Sequence, residues 1–361
     1  FVAMPEVARV TAHGDTKSSV QLTSGLQVDL RVVHAESYGA ALNYFTGSKD
    51  HNVALRQIAL KKGYTLNEYG LSKGTASHKG KHVAGKTEEE LYKALGLEYI
   101  EPEMRENRGE IELAAKHSLP KLIGYDEILG DLQVQTDWTD GSASIEAMAL
   151  AAHARGLKYI AITDHTKRLA MTHGLDEARL LKQASEIDRV NKKLAGKIKV
   201  LKGSECDILK DGSLDISDAA LAKLDVVGIS VHSLFGLSRK EQTERIARAM
   251  RNPHADILFH PTGRIVGSRD AYDVDMEALI AEAKKTGTIL EANASDRLDL
   301  KDEHIRMATQ AGVKISIDSD AHAPEHFEFL PFGIAQARRG WTERKDVINA
   351  WPLEKMLKML K

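Results

Sequence analysis

Six apolar runs in the second part of this sequence end on a residue able to bind a metal or move a proton. Leu132–Val134 runs into Gln135-Thr136-Asp137-Trp138-Thr139-Asp140-Gly141, and Tyr159–Ile162 into Thr163-Asp164-His165. Ile198–Leu201 leads to Gly203-Ser204-Glu205, Val226–Val231 to His232, and Ile257–Phe259 to His260-Pro261. Val313–Ile317 leads to Asp318-Ser319-Asp320-Ala321-His322. One His or Asp in such a place is ordinarily a cap or turn former. Recurrence on six strands points instead to a convergent metal site. The donors are imidazoles and carboxylates without a thiolate, which suits Mn, Zn or Fe and not a cysteine-type structural zinc site. Asp320 and His322 are two apart, so extended backbone aims both at one site. Gln133 and Gln135 share that spacing but offer only amide oxygens, which are poor transition-metal ligands. Clustered metals of this kind serve phosphoester hydrolysis, lowering the pKa of a bound water and stabilising the phosphoryl oxygens and leaving group. Arg264, in His260-Pro261-Thr262-Gly263-Arg264, has the planar donors to hold a phosphate.

The elements that must position these groups alternate. From Gly130 onward, seven apolar runs (the six above and Thr288–Leu290) are separated by helical patterns at Ile145–Arg155, Asp176–Leu194, Lys240–Arg251, Met276–Lys285 and Asp302–Gln310. Such alternation predicts parallel strands with covering helices. With no Gly-rich dinucleotide fingerprint, a barrel is expected, with its chemistry at the C-terminal strand ends. Earlier in the chain, Val7–Ala12, Ser18–Leu22 and Leu26–Val33 read as a short antiparallel sheet. Helices follow at Ser37–Tyr44 and Asp50–Lys62, then a Gly-rich basic loop and a short helix near Glu88–Leu95. Residues 98–127, with Pro102 and Pro120, read as a connector. The expected domains are therefore 1–97, a linker at 98–127, and 128–361.

The 361 residues carry a net charge of −2, 42% hydrophobic and 28% charged residues, an ordinary globular composition. No apolar run reaches the eighteen residues a membrane span needs, and no signal peptide is recognisable. One cysteine, Cys206, excludes a disulfide framework and fits a reducing cytoplasm. Residues 1–97 are mildly basic, and Lys73, Lys79, Lys81 and Lys86 form an acid-free cluster suited to phosphate contacts. The chain opens at Phe1 inside what reads as an element, so further sequence is expected before it.

The motifs Thr139-Asp140-Gly141, Thr163-Asp164-His165, Gly203-Ser204-Glu205, Ser230-Val231-His232, Phe259-His260-Pro261-Thr262-Gly263-Arg264, Glu291-Ala292-Asn293-Ala294 and Ser319-Asp320-Ala321-His322 resemble the polymerase-and-histidinol-phosphatase (PHP) domain. Upstream, Gly25–Val33, Tyr44-Phe45-Thr46-Gly47-Ser48 and Asn67-Glu68-Tyr69-Gly70 resemble the end of the palm and the thumb of a family X DNA polymerase. Together they match the bacterial and archaeal family X arrangement over nearly the whole chain. The resemblance implies a distorted (β/α)7 barrel preceded by a smaller α+β segment. It implies one metal held by Glu205, His232 and His260, and another by Asp140, His165 and His322. A third would use the first-strand positions, with Glu205 bridging and Asp320 completing it. His173 is a further candidate. Where the family usually offers one or two histidines on the first strand, this chain has Gln133 and Gln135, which implies weakened occupancy there. Asp29 would be the third polymerase carboxylate, and Tyr44, Phe45, Gly47, Asn52 and Arg56 the nucleotide pocket. The family's other two catalytic aspartates are not in this chain, so by itself it is expected not to polymerise, although the intact parent would, with Mg²⁺ or Mn²⁺. The implied activity is a repair polymerase whose PHP domain is a Mn²⁺-, Zn²⁺- or Fe²⁺-dependent 3′–5′ exonuclease or DNA-end phosphoesterase, with catalytic Glu205. Implied partners are DNA and dNTP, in a cytoplasmic, nucleoid-associated monomer. Two other readings are a barrel that only binds or scaffolds DNA, and a small-molecule phosphatase of the histidinol-phosphatase type.

Overall fold

The computed structural model describes residues 1–75 and 78–361. The side chains of Thr75, His78 and Lys79 are outside that description, and with them the expectation for Lys79. The chain divides into two compact units, Phe1–Leu119 and Pro120–Lys361.

The first unit opens with the expected antiparallel sheet, β1 (Val7–His13), β2 (Lys17–Leu22) and β3 (Gln27–Arg31). Helices Tyr38–Thr46 and Lys49–Lys61 follow. The second is started by Ser48, whose hydroxyl accepts the His51 N–H at 3.1 Å and so satisfies a first-turn donor. The basic stretch is not a loop. It forms a second three-stranded antiparallel sheet, β4 (Tyr64–Asn67), β5 (Gly70–Thr75) and β6 (His78–Ala84). Gly74 takes a positive φ, 110°, where the β5–β6 register shifts, and Gly70 takes 136° at the turn from β4 into β5. Leu71 and Ala84 are buried while Lys81 lies exposed. That half-buried alternation was hidden by the glycines and lysines.

The connector expected at 98–127 is likewise structured. Ile100, Met104, Ile111 and Ala114 are buried, and helix Glu110–Ala115 belongs to the first unit. Its charged residues read as solvated linker because their partners are distant in sequence. Arg105, fully buried, donates to Glu88 at 2.5 Å and to the Ile100 carbonyl at 3.0 Å. Glu110 meets His51 at 2.7 Å. From Pro120 onward the chain belongs to the second unit, where the Ile123 N–H bonds to the Thr342 carbonyl at 2.9 Å.

The second unit is the expected barrel. Its seven parallel strands are β7 (Gly130–Val134), β8 (Tyr159–Ile162), β9 (Lys199–Asp207), β10 (Val226–Ser230), β11 (Ile257–Leu258), β12 (Ile289–Asn293) and β13 (Ile315–Asp318). They follow one another in sequence order around the sheet. The last strand returns to the first through Gln135 N–H to the Ala321 carbonyl (2.8 Å) and Ala321 N–H to the Gln133 carbonyl (3.3 Å). This closure is what brings the two ends of the strand order together at one site. The helices at 145–154, 177–193, 239–250, 276–286 and 302–311 lie within a residue or two of expectation. Near the C-terminus, Ile348, Trp351 and Met356 pack with Leu132, Tyr159, Leu201 and Phe259.

Candidate metal centre

Glu205 is the hub. It sits near the end of β9, 1% exposed, with Oε1 2.7 Å from His260 Nε2 and 3.1 Å from His232 Nε2. Its other oxygen lies 3.5 Å from His165 Nδ1 and accepts the Gln135 amide at 2.9 Å. Burial alone would raise this carboxyl. The imidazoles of His165, His232 and His260 reverse that and hold it well below the usual carboxylate range. His232 feels the reciprocal effect: burial would lower it, but Glu205 and Asp207 push it up to about 9.

A second cluster shares His165. Its Nε2 is 3.5 Å from Asp140 Oδ2, and His322 Nε2 is 3.7 Å from Asp140 Oδ1. Asp140 is held low because His165 and His322 outweigh its partial burial. In each of the triads Asp140/His165/His322 and His165/Glu205/His232, one donor atom per residue lies within 4.8 Å of the others. Three convergent N/O donors with charge mixed in this way fit a divalent ion.

Gln133, Gln135 and Asp320 belong to neither triad. The Gln133 oxygen accepts from Asn293 at 3.1 Å, and Gln135 donates to Glu205. Asp320 is 3.3 Å from the Arg297 guanidinium. His173 is exposed on the turn after Ala170–Thr172 and belongs to neither triad. Arg264 commits Nε to the Arg297 carbonyl at 2.9 Å and Nη2 to that of Leu298, so it secures the loop bearing Arg297.

Sequence reasoning passed over the residues that aim these ligands. Asp207, two beyond Glu205 on the same face of β9, meets His232 Nδ1 at 3.3 Å. The i+2 spacing in Glu205-Cys206-Asp207 was the available signal. Asp164 is buried and accepts from Thr136 N–H (2.9 Å), Thr136 Oγ1 (2.6 Å), Thr139 Oγ1 (2.5 Å) and Gln183 (2.6 Å). These bonds fold the Thr139-Asp140-Gly141 turn back over the strand end. A Cβ on Gly141 would lie 2.7 Å from the Gln135 carbonyl carbon, hence the glycine. Outer groups of this kind typically tune metal affinity by about 10–100-fold. Asp164→Ala should therefore weaken metal binding at the Asp140 triad by about 10–100-fold in calorimetric titration; unchanged affinity would show the turn is held by other contacts.

In the first unit, Asp29 is exposed on β3, its carboxyl lowered chiefly by the Ser19 hydroxyl. Phe45 is exposed, with Arg31 over its ring at 5.5 Å, and Tyr44 is half-buried. Asn52 is buried, its amide donating to the carbonyls of Tyr44 (2.9 Å), Gly47 (3.1 Å) and Ser48 (3.1 Å). That bonding clasps the turn between the two helices. Arg56 donates to the Asn52 carbonyl at 3.3 Å.

Comparison with known proteins finds the DNA polymerase beta thumb over residues 41–106 and the PHP domain over 131–299. The chain is 42% identical over 364 residues to the DNA polymerase/3'-5' exonuclease PolX of Bacillus subtilis (strain 168), covering 100% of this chain and 63% of that protein. A probable phosphatase of Thermoanaerobacter sp. (strain X514) is 32% identical over 191 residues, 50% of this chain and 73% of that protein. Among solved structures, the histidinol phosphate phosphatase of Lactococcus lactis, crystallised with Zn, L-histidinol and phosphate, is 13% identical with a TM-score of 0.46, covering 59% of this chain and 94% of that one. A thumb of the polymerase beta type joined to a PHP barrel, matched along its whole length by a PolX of which it spans 63%, means that the chain belongs to the family X DNA polymerases that carry a PHP domain.

Proposed function

We propose that this chain is part of a family X DNA polymerase and that its barrel hydrolyses phosphodiesters at DNA 3′ ends in repair, with Mn²⁺ as the working ion. The observation that carries the reading is the pair of triads hinged on His165 and anchored by Glu205. When bound there, divalent ions supply a water of lowered pKa and stabilise the phosphoryl oxygens. Glu205, His165, His232, His260, Asp140 and His322 would hold them. Asp207 fixes the His232 ring through Nδ1, leaving Nε2 toward Glu205. Asp164 sets the position of Asp140. The thumb match, the exposed Phe45 and the basic β5–β6 hairpin support DNA and dNTP as partners of the whole protein, acting as a monomer in the nucleoid. No described helix is long and apolar enough to cross a membrane.

The Gln133 and Gln135 pair favours a second reading, a barrel that positions DNA without cutting it. Digestion of 3′-labelled DNA in Mn²⁺ separates the two. Hydrolysis that is lost with EDTA and in His232→Ala supports the nuclease. Activity surviving His232→Ala would place it elsewhere, and none in the wild type would favour the scaffold.

A further inference from the structure

One buried carboxylate outside both triads is bonded to the two segments that carry His165 and Glu205. Asp215, 7% exposed, closes the turn Asp211-Gly212-Ser213-Leu214-Asp215 that follows β9. Leu209 N–H meets the Ser213 carbonyl there at 2.8 Å, and Asp215 N–H returns to the Asp207 carbonyl at 3.2 Å. Asp215 Oδ1 accepts from the Thr166 hydroxyl at 2.7 Å, the Cys206 thiol at 3.2 Å and the Asp207 N–H at 3.2 Å. Its Oδ2 accepts the Arg168 N–H at 2.8 Å. Thr166 is buried as well, and its Oγ1 also accepts the Asp207 N–H at 3.1 Å. Thr166 and Arg168 follow His165, while Cys206 and Asp207 follow Glu205. Regular pairing of β8 with β9 ends at Ile162 and Lys202, and beyond it a single bridge joins His165 to Glu205. The ligand-bearing ends of the two strands therefore need ties that the sheet does not supply. Four donors, none of them a cation, are met here by acceptors on both oxygens of one carboxylate. A neutral asparagine would turn its own N–H groups against some of them.

We propose that Asp215 is a positioning residue for the metal centre: by holding the Thr166 hydroxyl and the Asp207 N–H on one oxygen, it fixes the spacing between His165 and the Glu205–Asp207 segment. The inference rests on reading the triads as a metal centre. Because His165 belongs to both triads, the tie serves both ions at once. It also reaches His232, since the Asp207 carboxylate that it steadies meets His232 Nδ1 at 3.3 Å. Asp164 acts differently, for its bonds to Thr136 and Thr139 bear on the turn that carries Asp140. Thr166 is the relay: its one hydroxyl proton goes to Asp215, which leaves the oxygen to accept from Asp207.

The test titrates Mn²⁺ into the metal-free protein by calorimetry and follows melting of the same samples. In Asp215→Asn both ions should bind about 10–100-fold more weakly, the range found when an outer partner of a ligand is lost. Melting of the metal-free variant should stay near wild type, which separates a role in aiming ligands from one in holding the fold. Thr166→Val removes the relay hydroxyl and should weaken both ions in the same way, whereas Thr166→Ser keeps the hydroxyl and should bind as wild type does. The double variant Asp215→Asn/Thr166→Val should bind no more weakly than the weaker single variant, because both cut one tie. Unchanged affinity in Asp215→Asn, or weakening of one ion alone, would overturn the inference and leave the metal-centre reading standing. If Asp215→Asn does not fold, the Thr166 pair decides: equal affinity in Thr166→Val and wild type would overturn the proposal. A wild type that binds no ion would overturn the metal-centre reading, and the role of Asp215 with it.

Discussion

Glu205→Gln is expected to abolish most of the metal-dependent hydrolysis, by at least about 10²–10³-fold, the scale seen when one group that stabilises the transition state is removed. The substitution keeps shape and volume, and the Gln135 amide at 2.9 Å still finds an acceptor. What disappears is the one negative charge that faces His165, His232 and His260 together. Without it those imidazoles have no common counter-ion, and a divalent ion loses its only anionic donor in the His165/Glu205/His232 triad. Metal content should fall with activity, while the far-UV spectrum and melting stay near wild type. A variant that keeps its metal but not its activity would move Glu205 from ligand to proton carrier. Full activity would remove it from the site.

The largest stability effect is expected in the first unit, from Arg105→Met. Arg105 has no exposed surface, bonds Glu88 at 2.5 Å, and stacks 5.5 Å from the rings of both Tyr92 and Tyr99. Its backbone carbonyl also accepts the Ser48 N–H at 2.9 Å, tying it to the start of the second helix. Methionine fills much of the volume but leaves Glu88 buried against Tyr99 without its cation. Breaking one side of a buried pair costs about 3–5 kcal/mol. Hydrogen exchange across residues 38–119 should report that loss, with the barrel unaffected. Adding Glu88→Gln should recover part of it, because the stranded charge is the larger penalty. A loss below about 1 kcal/mol would mean that desolvation already cancels the pair in the native protein.

The two variants differ in how visible their residues were. Glu205 stood at the end of an apolar run, in a series of such endings, and that repetition made the centre legible. The barrel was legible for the same reason: strand and helix periods are local, and the helices at 145–154 and 276–286 begin where the sequence said. Arg105 falls within the stretch read as a connector. Nothing near it in sequence announces Glu88, seventeen residues earlier, or the two tyrosine rings. The β5–β6 hairpin was missed because its glycines and lysines mimic a flexible loop, and only pairing with β4 and burial of Leu71 show otherwise.

By itself, then, the sequence determined the parallel barrel and pointed to the strand-end candidate ligands and to the poor donors Gln133 and Gln135, because these depend on residue type and on spacing along one chain segment. Only the tertiary structure decided which of these side chains converge, that Asp164 and Asp207 bond the groups beside them, and that Arg297 faces Asp320. Arg297 and Asp320 lie on separate strand-end loops, and closure of β13 onto β7 sets Asp320 beside the two glutamines. Whether a carboxylate is met by a metal or by a guanidinium is a matter of which loops the closed barrel brings within a few ångströms, and periodicity along the chain does not carry that information.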